Sequence, residues 1–248
     1  MSALVVSPTQ RQVYKTLGQF IASVLPAGVK VEQGEINRVP EPSSADFVVM
    51  WIIMRGRMGT NLDTYLDAAF TGSIAGNLLT ITAVDPEFTG KLAIGSVIFG
   101  LGVATGTTIT GLGTGTGGVG TYQVNMSQTV SSETLAAGTE SLLQSTELQI
   151  QIDVHGPNSS DNSQIISTLF RDEYAVDAFG SFNIAQSLDP LSITPLFVDD
   201  PKQIPFMNAE QQYEYRYTIT AHIQANQTVV VPMQFAEQLD VATTNPII

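Results

Sequence analysis

The pattern of apolar and polar positions begins with one amphipathic helix. Thr9 is a suitable N-cap, and Pro26 with Gly28 marks the end of the segment. Helical spacing predicts that one stripe of this helix faces a core. The stripe is formed by Val13, Leu17, Phe20, Ile21, Val24 and Leu25.

Strand patterns follow the helix. Residues 29–36 (VKVEQGEI) alternate weakly and predict an edge strand, and the Pro-containing residues 38–44 predict a turn. Residues 47–54 (FVVMWIIM) form a continuous apolar run, typical of a strand covered on both faces, although a buried helix has the same periodicity. Residues 148–154 alternate with period two, which predicts a half-exposed strand that pairs with 47–54.

The last third of the chain predicts one more helix and two more strands. Asp161 is a candidate cap for a helix with Ile165, Ile166, Leu169 and Phe170 on one side. Residues 192–197 (SITPLF) predict a short strand or bend. Residues 213–223 (YEYRYTITAHI) predict a long strand. Its alternation places Tyr213, Tyr215, Tyr217, Ile219, Ala221 and Ile223 on one face.

Residues 70–135 differ in composition from the rest of the chain, because they consist almost entirely of Gly, Thr, Ser, Val, Ile and Leu. Insertions succeed at exposed loop tips of a host fold. We therefore predict an inserted small all-β domain at residues 69–137, in a discontinuous host domain formed by residues 1–68 and 138–248. The order of elements predicts an α+β host, a mixed or antiparallel sheet flanked by helices.

Charge and composition narrow the classes of function. The 248 residues are 43% hydrophobic and have a formal net charge of -13, which disfavours binding to the DNA backbone. The chain has no cysteine, so disulfides, thiol nucleophiles and thiolate metal sites are excluded. The first residues lack the basic and long apolar regions of a signal peptide, so we expect a soluble, unsecreted protein without membrane contact.

The sequence contains little that indicates catalytic activity. His155 and His222 are the two histidines, and neither has a Ser or Cys nucleophile elbow nearby. Asp153 and His155 share a strand face and could offer two metal ligands, but a third and a fourth are not evident. We expect no enzyme activity, no catalytic residue and no metal site.

Other motifs have structural interpretations. Gly113, Gly115 and Gly118 satisfy G-x-G-x-x-G, as do Gly115, Gly117 and Gly120, but the run leads into a strand-like segment at Thr121 and not into a helix. Gly90-Lys91 lacks the rest of a phosphate-binding loop, and no cofactor is expected. Asp161, Asp199 and Asp200 fit solvated turns. The tyrosines at 213, 215 and 217 fit a packed sheet face, with a subunit interface or a stacking platform as alternatives.

Two stretches carry a resemblance to tailed-bacteriophage proteins. The segments TGSIAGNLLTITAV, GSVIFGLGVATGTTITGLGTGTGGVGTYQV and SQTVSS resemble a Gly/Thr-rich β-module inserted in phage virion proteins. The segments LGQFIASVLPAGVKVEQGEINRVPEPSSADFVVMWII, LQIQIDVHGPNSSDNSQIISTLFRDEYAV and EYRYTITAHIQ resemble the phage neck or tail-terminator-like family.

This resemblance implies a structural virion protein that forms a ring, usually a hexamer, at the neck or the top of the tail. As a tail terminator or head-tail connector it would join tail to head and let DNA pass without specific binding. Its partners would be its own copies and neighbouring neck and tail proteins, with assembly in the host cytoplasm. The family carries no catalytic residue to transfer.

The termini, residues 1–8 and 234–248, could lie across neighbouring subunits. The alternative function is a carbohydrate-binding, adhesion or decoration protein of the virion.

Overall fold

The computed structural model of the chain describes residues 6–34, 45–207 and 213–232. The predicted turn at 38–44, most of the predicted arm at 1–8 and all of the arm at 234–248 lie outside these ranges. The helices within them are α1 (Gln10–Val24), α2 (Ser159–Phe170) and α3 (Glu173–Ile184). The strands are β1 (Val6–Ser7), β2 (Lys30–Gln33), β3 (Phe47–Arg57), β4 (Leu62–Val84), β5 (Ile109–Leu112), β6 (Gly120–His155), β7 (Ile193–Val198), β8 (Lys202–Gln203), β9 (Phe206–Met207), β10 (Tyr213–Glu214) and β11 (Arg216–Pro232).

Most strands belong to one mixed sheet. Its main path has the order β1-β11-β6-β3-β2, while β4 and β5 pair with β6, and β7 and β8 pair with β11. Strand β2 runs parallel to β3, and β3 runs antiparallel to β6 from Phe47 opposite His155 to Arg57 opposite Thr146. The predicted pairing of residues 47–54 with 148–154 is therefore confirmed.

The prediction of a helix-flanked α+β fold is wrong. Among the residues that the structure describes, 52% lie in strands and 19% in helices, and one large mixed sheet accompanies three short helices. The cause is the extent of the strand segments, since β6 has 36 residues, β11 has 17, and β4 has 23 residues that include a reversal of the chain. Hydrogen bonding between neighbouring strands continues where the local alternation of the sequence becomes weak, so the strands extend beyond the segments that periodicity identifies.

The chain forms two compact units, and strand β6 contributes residues to both. Among the described residues, unit 1 comprises 62–142 and 229–232, and unit 2 comprises 6–34, 45–61, 143–207 and 213–228. The boundaries predicted for the inserted domain, 69–137, stay a prediction.

Each unit has its own apolar core. The core of unit 1 contains Phe70, Ile74, Leu79, Ile81, Leu92, Ile98, Ile109, Tyr122, Val124, Val130, Leu135 and Ala137. The core of unit 2 joins residues of all three helices to alternate residues of β3, β6 and β11. Its largest fully buried side chains include Phe20, Phe170 and Phe179, whose ring centroids lie 5.6–5.9 Å apart in pairs.

Helix α1 forms as the sequence predicts. Thr9 is its N-cap and makes a capping box with Gln12, in which the backbone N–H of Gln12 donates to Thr9 Oγ1 at 3.3 Å and the backbone N–H of Thr9 donates to Gln12 Oε1 at 2.8 Å. The apolar stripe at Val13, Leu17, Phe20 and Ile21 is fully buried. The hydrophobic pattern and the N-cap thus both favour a helix that begins directly after Thr9.

The other helical predictions need correction. Asp161 does not cap α2, because the helix begins at Ser159 with Asn158 at the N-cap position, and Asp161 lies in the first turn. Helix α3 was not predicted. It has Asp172 as its N-cap, and the residues that it buries are Ala175, Phe179 and Asn183, a short stripe that includes a polar side chain. Such a stripe gives a weak periodic signal.

In unit 1, strand β4 turns back on itself. The backbone N–H of Asp85 donates to the carbonyl of Ala69 at 2.9 Å, and Thr82 Oγ1 donates to the carbonyl of Thr71 at 3.2 Å. Gly76 lies at the reversal with a φ of +63°, a conformation that glycine adopts without steric cost. The Gly/Thr-rich stretch therefore contains paired strands, as its alternation indicates.

Candidate interaction surface

The two faces of β6 differ in unit 2. Leu148, Ile150, Ile152 and Val154 are fully buried in the core. Because successive side chains of a strand point to opposite faces, the intervening residues lie on the other side. We call this second face, formed by Glu147, Gln149, Gln151, Asp153 and His155 of β6 with Arg216, Thr218, Thr220 and His222 of β11, the polar face.

His222 lies between two carboxylates on the polar face. Its Nδ1 is 2.6 Å from Glu147 Oε1, and its Nε2 is 3.9 Å from Asp199 Oδ1. Its ring stacks on Phe197 with a centroid distance of 3.9 Å, and only 8% of the residue is exposed. The hydrogen bond with His222 lowers the pKa of the Glu147 carboxyl, which favours its charged form.

Asp153 is the most buried charge on the polar face, with 2% of the residue exposed. Thr218 Oγ1 donates to Asp153 Oδ1 at 2.8 Å, Gln151 Nε2 donates to the same oxygen at 3.0 Å, and Arg216 Nη1 is 3.3 Å from Oδ2. These partners replace the water that burial removes from the carboxylate. Asp153 therefore joins β6 to β11 instead of facing an open site.

His155 shares the face of Asp153, as the alternation predicts. Its ring stacks on Phe47 with a centroid distance of 4.5 Å, and its Nδ1 is 3.9 Å from Glu214 Oε2. Burial lowers the pKa of His155, so the neutral ring is favoured. Each histidine thus contacts an aromatic ring and lies near a carboxylate. Among the described residues, no group of three or more His, Cys, Asp or Glu side chains could hold a metal ion.

The backbone N–H groups of the Gly-rich run in unit 1 donate hydrogen bonds to the start of the strand that follows it, β6. The backbone N–H groups of Gly113 and Gly115 donate to the carbonyl of Thr121 at 2.9 and 3.2 Å, and that of Gly117 donates to Tyr122 Oη at 2.9 Å. The run leads into β6, as predicted, and not into a helix. A Cβ at Gly115 would overlap the Tyr122 ring, so glycine is required there for close packing.

Gly90 makes a similar close approach. Its backbone N–H donates to the carbonyl of Asp67 at 2.8 Å, and a Cβ at this position would overlap the same backbone. The Gly90-Lys91 pair is thus placed by packing against a neighbouring segment.

The predicted acidic turns have different surroundings. Asp200 Oδ1 accepts a hydrogen bond from Arg171 Nη2 at 2.7 Å, and both side chains are largely exposed. Asp199 Oδ1 lies 3.9 Å from His222 Nε2, so Asp199 lies beside the polar face and not in an isolated turn. Sequence reasoning did not identify Glu147, Phe197 or Arg216. Alternation places Glu147 on the polar face, but its partner His222 is 75 residues away in the chain and leaves no local signal.

The predicted tyrosine stripe is not one packed surface. Ile219, Ala221 and Ile223 are buried as expected, whereas Tyr213 is 79% exposed and Tyr215 is 63% exposed. The strand is also interrupted at Tyr215, between β10 and β11. Only its second half therefore contributes to the core.

Comparison with known proteins places the chain among phage proteins. A sequence model of the family described as phage neck terminator protein matches residues 109–247, which is more than half of the chain. No curated protein matches. In the ranges that the structure describes, no helix is long and apolar enough to cross a membrane. The chain therefore belongs to the phage neck terminator protein family, which makes it a structural protein of the virion neck or tail.

Proposed function

We propose that the protein forms a closed homo-oligomeric ring, a hexamer, at the neck or at the top of the tail. As a tail terminator or head-tail connector, the ring joins the tail to the head and contacts neighbouring neck and tail proteins. The observation that carries this proposal is the family match over residues 109–247. Membership of a structural family also implies a non-enzymatic role.

The partly exposed side chains of the polar face, Glu147, Gln149, Gln151 and Thr220, supply a suitable subunit contact. Asp153, His155 and His222 are buried within one copy, and the hydrogen bonds and ion pairs of Asp153 and His222 fix the geometry of the face before assembly. Polar side chains fixed in this way favour specific contacts over general adhesion. Heterologous contacts between identical chains close into a ring when the rotation per subunit divides a full turn.

Electron microscopy of the purified recombinant protein tests the ring. We expect closed rings of one size, with sixfold symmetry in averaged end views. Particles of single copies at all protein concentrations, or open helical filaments, would contradict the proposal. A different symmetry would correct only the number of subunits.

We further propose that DNA passes through the ring without specific binding. The net charge of -13 repels duplex phosphates over a distance of about one Debye length, roughly 8–10 Å at physiological salt. In a gel-shift experiment at low salt, we expect no retardation of a linear duplex by the ring. A bore lined by the chain's Lys and Arg side chains, with the acids on the outer wall, would overturn this part of the proposal.

We propose that residues 69–137 act as an inserted, outward-facing module that contacts a neighbouring virion protein. Support comes from apolar side chains in turns of unit 1, where Leu101 is 88% exposed and Val119 is 59% exposed. Exposed apolar side chains gain free energy when a partner covers them and removes them from water. If virions that lack residues 69–137 assemble and adsorb normally, the module has no partner and is a tolerated insertion.

The alternative is a carbohydrate-binding or adhesion role for unit 1. It is favoured by two exposed aromatic side chains of unit 1, Tyr65 at 58% and Phe88 at 38%. Aromatic rings offer apolar faces on which sugars stack. Under this alternative, the Tyr65→Ala and Phe88→Ala variants assemble normally but adsorb more slowly to cells. Unchanged adsorption of both would exclude it.

A further inference from the structure

Strand β3 is longer than the strand that covers its outer edge. Within the described ranges, β3 pairs with β6 on one side and with β2 on the other. The pairing with β2 ends at Gln33 opposite Met50, and the backbone N–H of Gly34 donates one more bond to the carbonyl of Met50 at 2.9 Å. The pairing with β6 continues to Arg57. Among the described residues, 53–57 therefore have a strand neighbour on one side only, and we call their other side the open edge.

The side chain of Tyr14 marks the start of the open edge. The backbone N–H of Ile52 donates to Tyr14 Oη at 2.9 Å, so a side chain of α1 replaces a neighbouring strand at that residue. The next two residues, Ile53 and Met54, are 48% and 47% exposed. Unpaired backbone groups beside exposed apolar side chains attract a further strand. The open edge is therefore suited to strand addition, in which the backbone of an extended segment supplies the hydrogen bonds.

The open edge also carries positive charge in an acidic chain. Arg55 and Arg57 are exposed, and they share one face because successive side chains of a strand alternate. Arg55 Nη1 donates to Gln227 Oε1 at 3.0 Å, and Arg57 Nη2 donates to Asn61 Oδ1 at 3.0 Å. In the part of the chain that the structure describes, neither guanidinium forms an ion pair with a carboxylate. Opposite charges on neighbouring strands attract, so the open edge favours an acidic strand.

One segment outside the described ranges has this chemistry. Residues 234–248 (QFAEQLDVATTNPII) contain Glu237 and Asp240 and no Lys or Arg. Residues 1–5 contain no acid. Residues 35–44 contain an arginine and two prolines, and proline has no backbone N–H to donate to a neighbouring strand.

The same segment has the apolar side chains and the length that the open edge requires. Phe235, Leu239 and Val241 alternate with polar residues over much of its first half. Fully extended, its 15 residues reach about 50 Å, whereas pairing with five residues of a strand needs about 17 Å.

We propose that residues 234–248 bind as an added strand along the open edge of β3. The two acids of this segment are attracted by the two arginines, and its apolar side chains cover those of Ile53 and Met54. The backbone groups of the segment and of the open edge then pair with each other, as buried backbone groups require.

Cross-linking in the full chain tests the placement, because the chain has no cysteine of its own. Met54→Cys is combined with a second cysteine at each of residues 235–242 in turn, and disulfide formation is followed on non-reducing gels. Opposite side chains on one face of two paired strands have Cβ atoms about 4.5–5.5 Å apart. We therefore expect cross-links at every second position of the segment. Ile53→Cys serves if the first variant misfolds.

Ile184→Cys replaces Met54→Cys in the matched control, because Ile184 is 62% exposed and ends α3. It should give no alternating set of cross-links. No cross-link from Met54→Cys, or equal cross-linking in the control, would overturn the proposal. Cross-links from Met54→Cys to cysteines placed at residues 35–39 instead would show that the chain after β2 covers the open edge, and this result would also overturn it.

Charge reversal tests why this segment binds. Arg55→Glu together with Arg57→Glu should slow the cross-linking at least about threefold, because an attraction becomes a repulsion. Glu237→Arg with Asp240→Arg in the same chain should restore the rate. Lys202→Glu is the control, since Lys202 is exposed in β8, which pairs with β11, and it should leave the rate unchanged. A rate that the arginine changes do not alter would overturn the proposed attraction.

The outcomes separate this inference from the proposed ring. Alternating cross-links in a protein that stays as single copies would uphold the strand addition and refute the ring. Normal rings without these cross-links would overturn the strand addition and leave the ring intact.

Discussion

Close packing around single residues explains the glycine run of unit 1. Tyr122 is fully buried, and its hydroxyl donates to the carbonyl of Gly118 at 2.7 Å while it accepts from the backbone of Gly117. The Gly-rich loop can pack against the aromatic ring of Tyr122 only because Gly115 has no side chain. The same residues that resemble a dinucleotide fingerprint in the sequence thus serve to cover one aromatic side chain.

The Gly115→Ala variant should be destabilised by about 1–3 kcal/mol, because the added methyl overlaps the Tyr122 ring and the loop must move. Gly118→Ala is the matched control. Its Cβ would meet only Val84 Cγ2, at an ordinary 3.7 Å, so a change within about 0.5 kcal/mol is expected. Urea unfolding measures both. Equal losses in the two variants would contradict the role of Tyr122.

Stability near neutral pH should depend on His155. Burial lowers its folded-state pKa below the ordinary 6.5, so the unfolded chain binds a proton at a higher pH than the folded chain does. The free energy of unfolding should therefore fall as the pH decreases from 7.5 through 6.5 to 5. In His155→Gln, this fall should be smaller.

The test compares the slope of the unfolding free energy against pH in the original protein with that in His155→Gln, because other groups titrate in both proteins. The lowered pKa of Glu147 acts in a separate window, because the stability it contributes is present above 4.5 and is lost only at more acidic pH. Identical slopes between pH 7.5 and 5 in the two proteins would show that His155 is not the group responsible.

At the scale of elements, predictions succeeded where local signals agreed. Helix α1 has an apolar stripe, a capping box and a proline shortly after its end, and its observed start matches the predicted one. Strands β3 and β6 were recognised from composition and alternation, but their ends were not. Strand β3 continues to Arg57, past a register shift between Ile52 and Met54, and Ile53 and Met54 are exposed instead of covered.

Removal of the α1 cap should destabilise unit 2. Thr9→Ala loses the side-chain oxygen that accepts from the backbone of Gln12, which is worth about 1 kcal/mol. Thr60→Ala is a suitable control because Thr60 is exposed and outside any helix or strand. Chemical unfolding followed by helical circular dichroism measures the difference. No loss relative to the control would show that the capping box contributes nothing.

At the scale of the whole molecule, each unit is held by its own apolar core. Every buried residue of the unit 2 core lies outside residues 69–137, whereas the unit 1 core lies within them. Burial of apolar area is the main favourable term in folding, so a unit with a complete core has its main source of stability within itself.

Deletion of residues 69–137, with a short loop joining the ends, should leave unit 2 folded, because closing a loop costs little entropy. Trp51 is the one tryptophan of the chain and lies in β3 of unit 2, so its fluorescence reports on that unit alone. We expect the emission of the deleted protein to match that of the full chain. An emission equal to that of the urea-unfolded protein would show that unit 2 depends on the deleted residues.

Sequence patterns alone were sufficient to predict the start of α1, the pairing of β3 with β6, and the membership of a phage protein family. Each depends on residues close together in the chain, or on a pattern shared by a family. The tertiary structure alone decided the lengths of β6 and β11, since hydrogen bonds to neighbouring strands extend a strand beyond its own propensity. It also decided the contact of His222 with Glu147, because that contact depends on which distant segments meet.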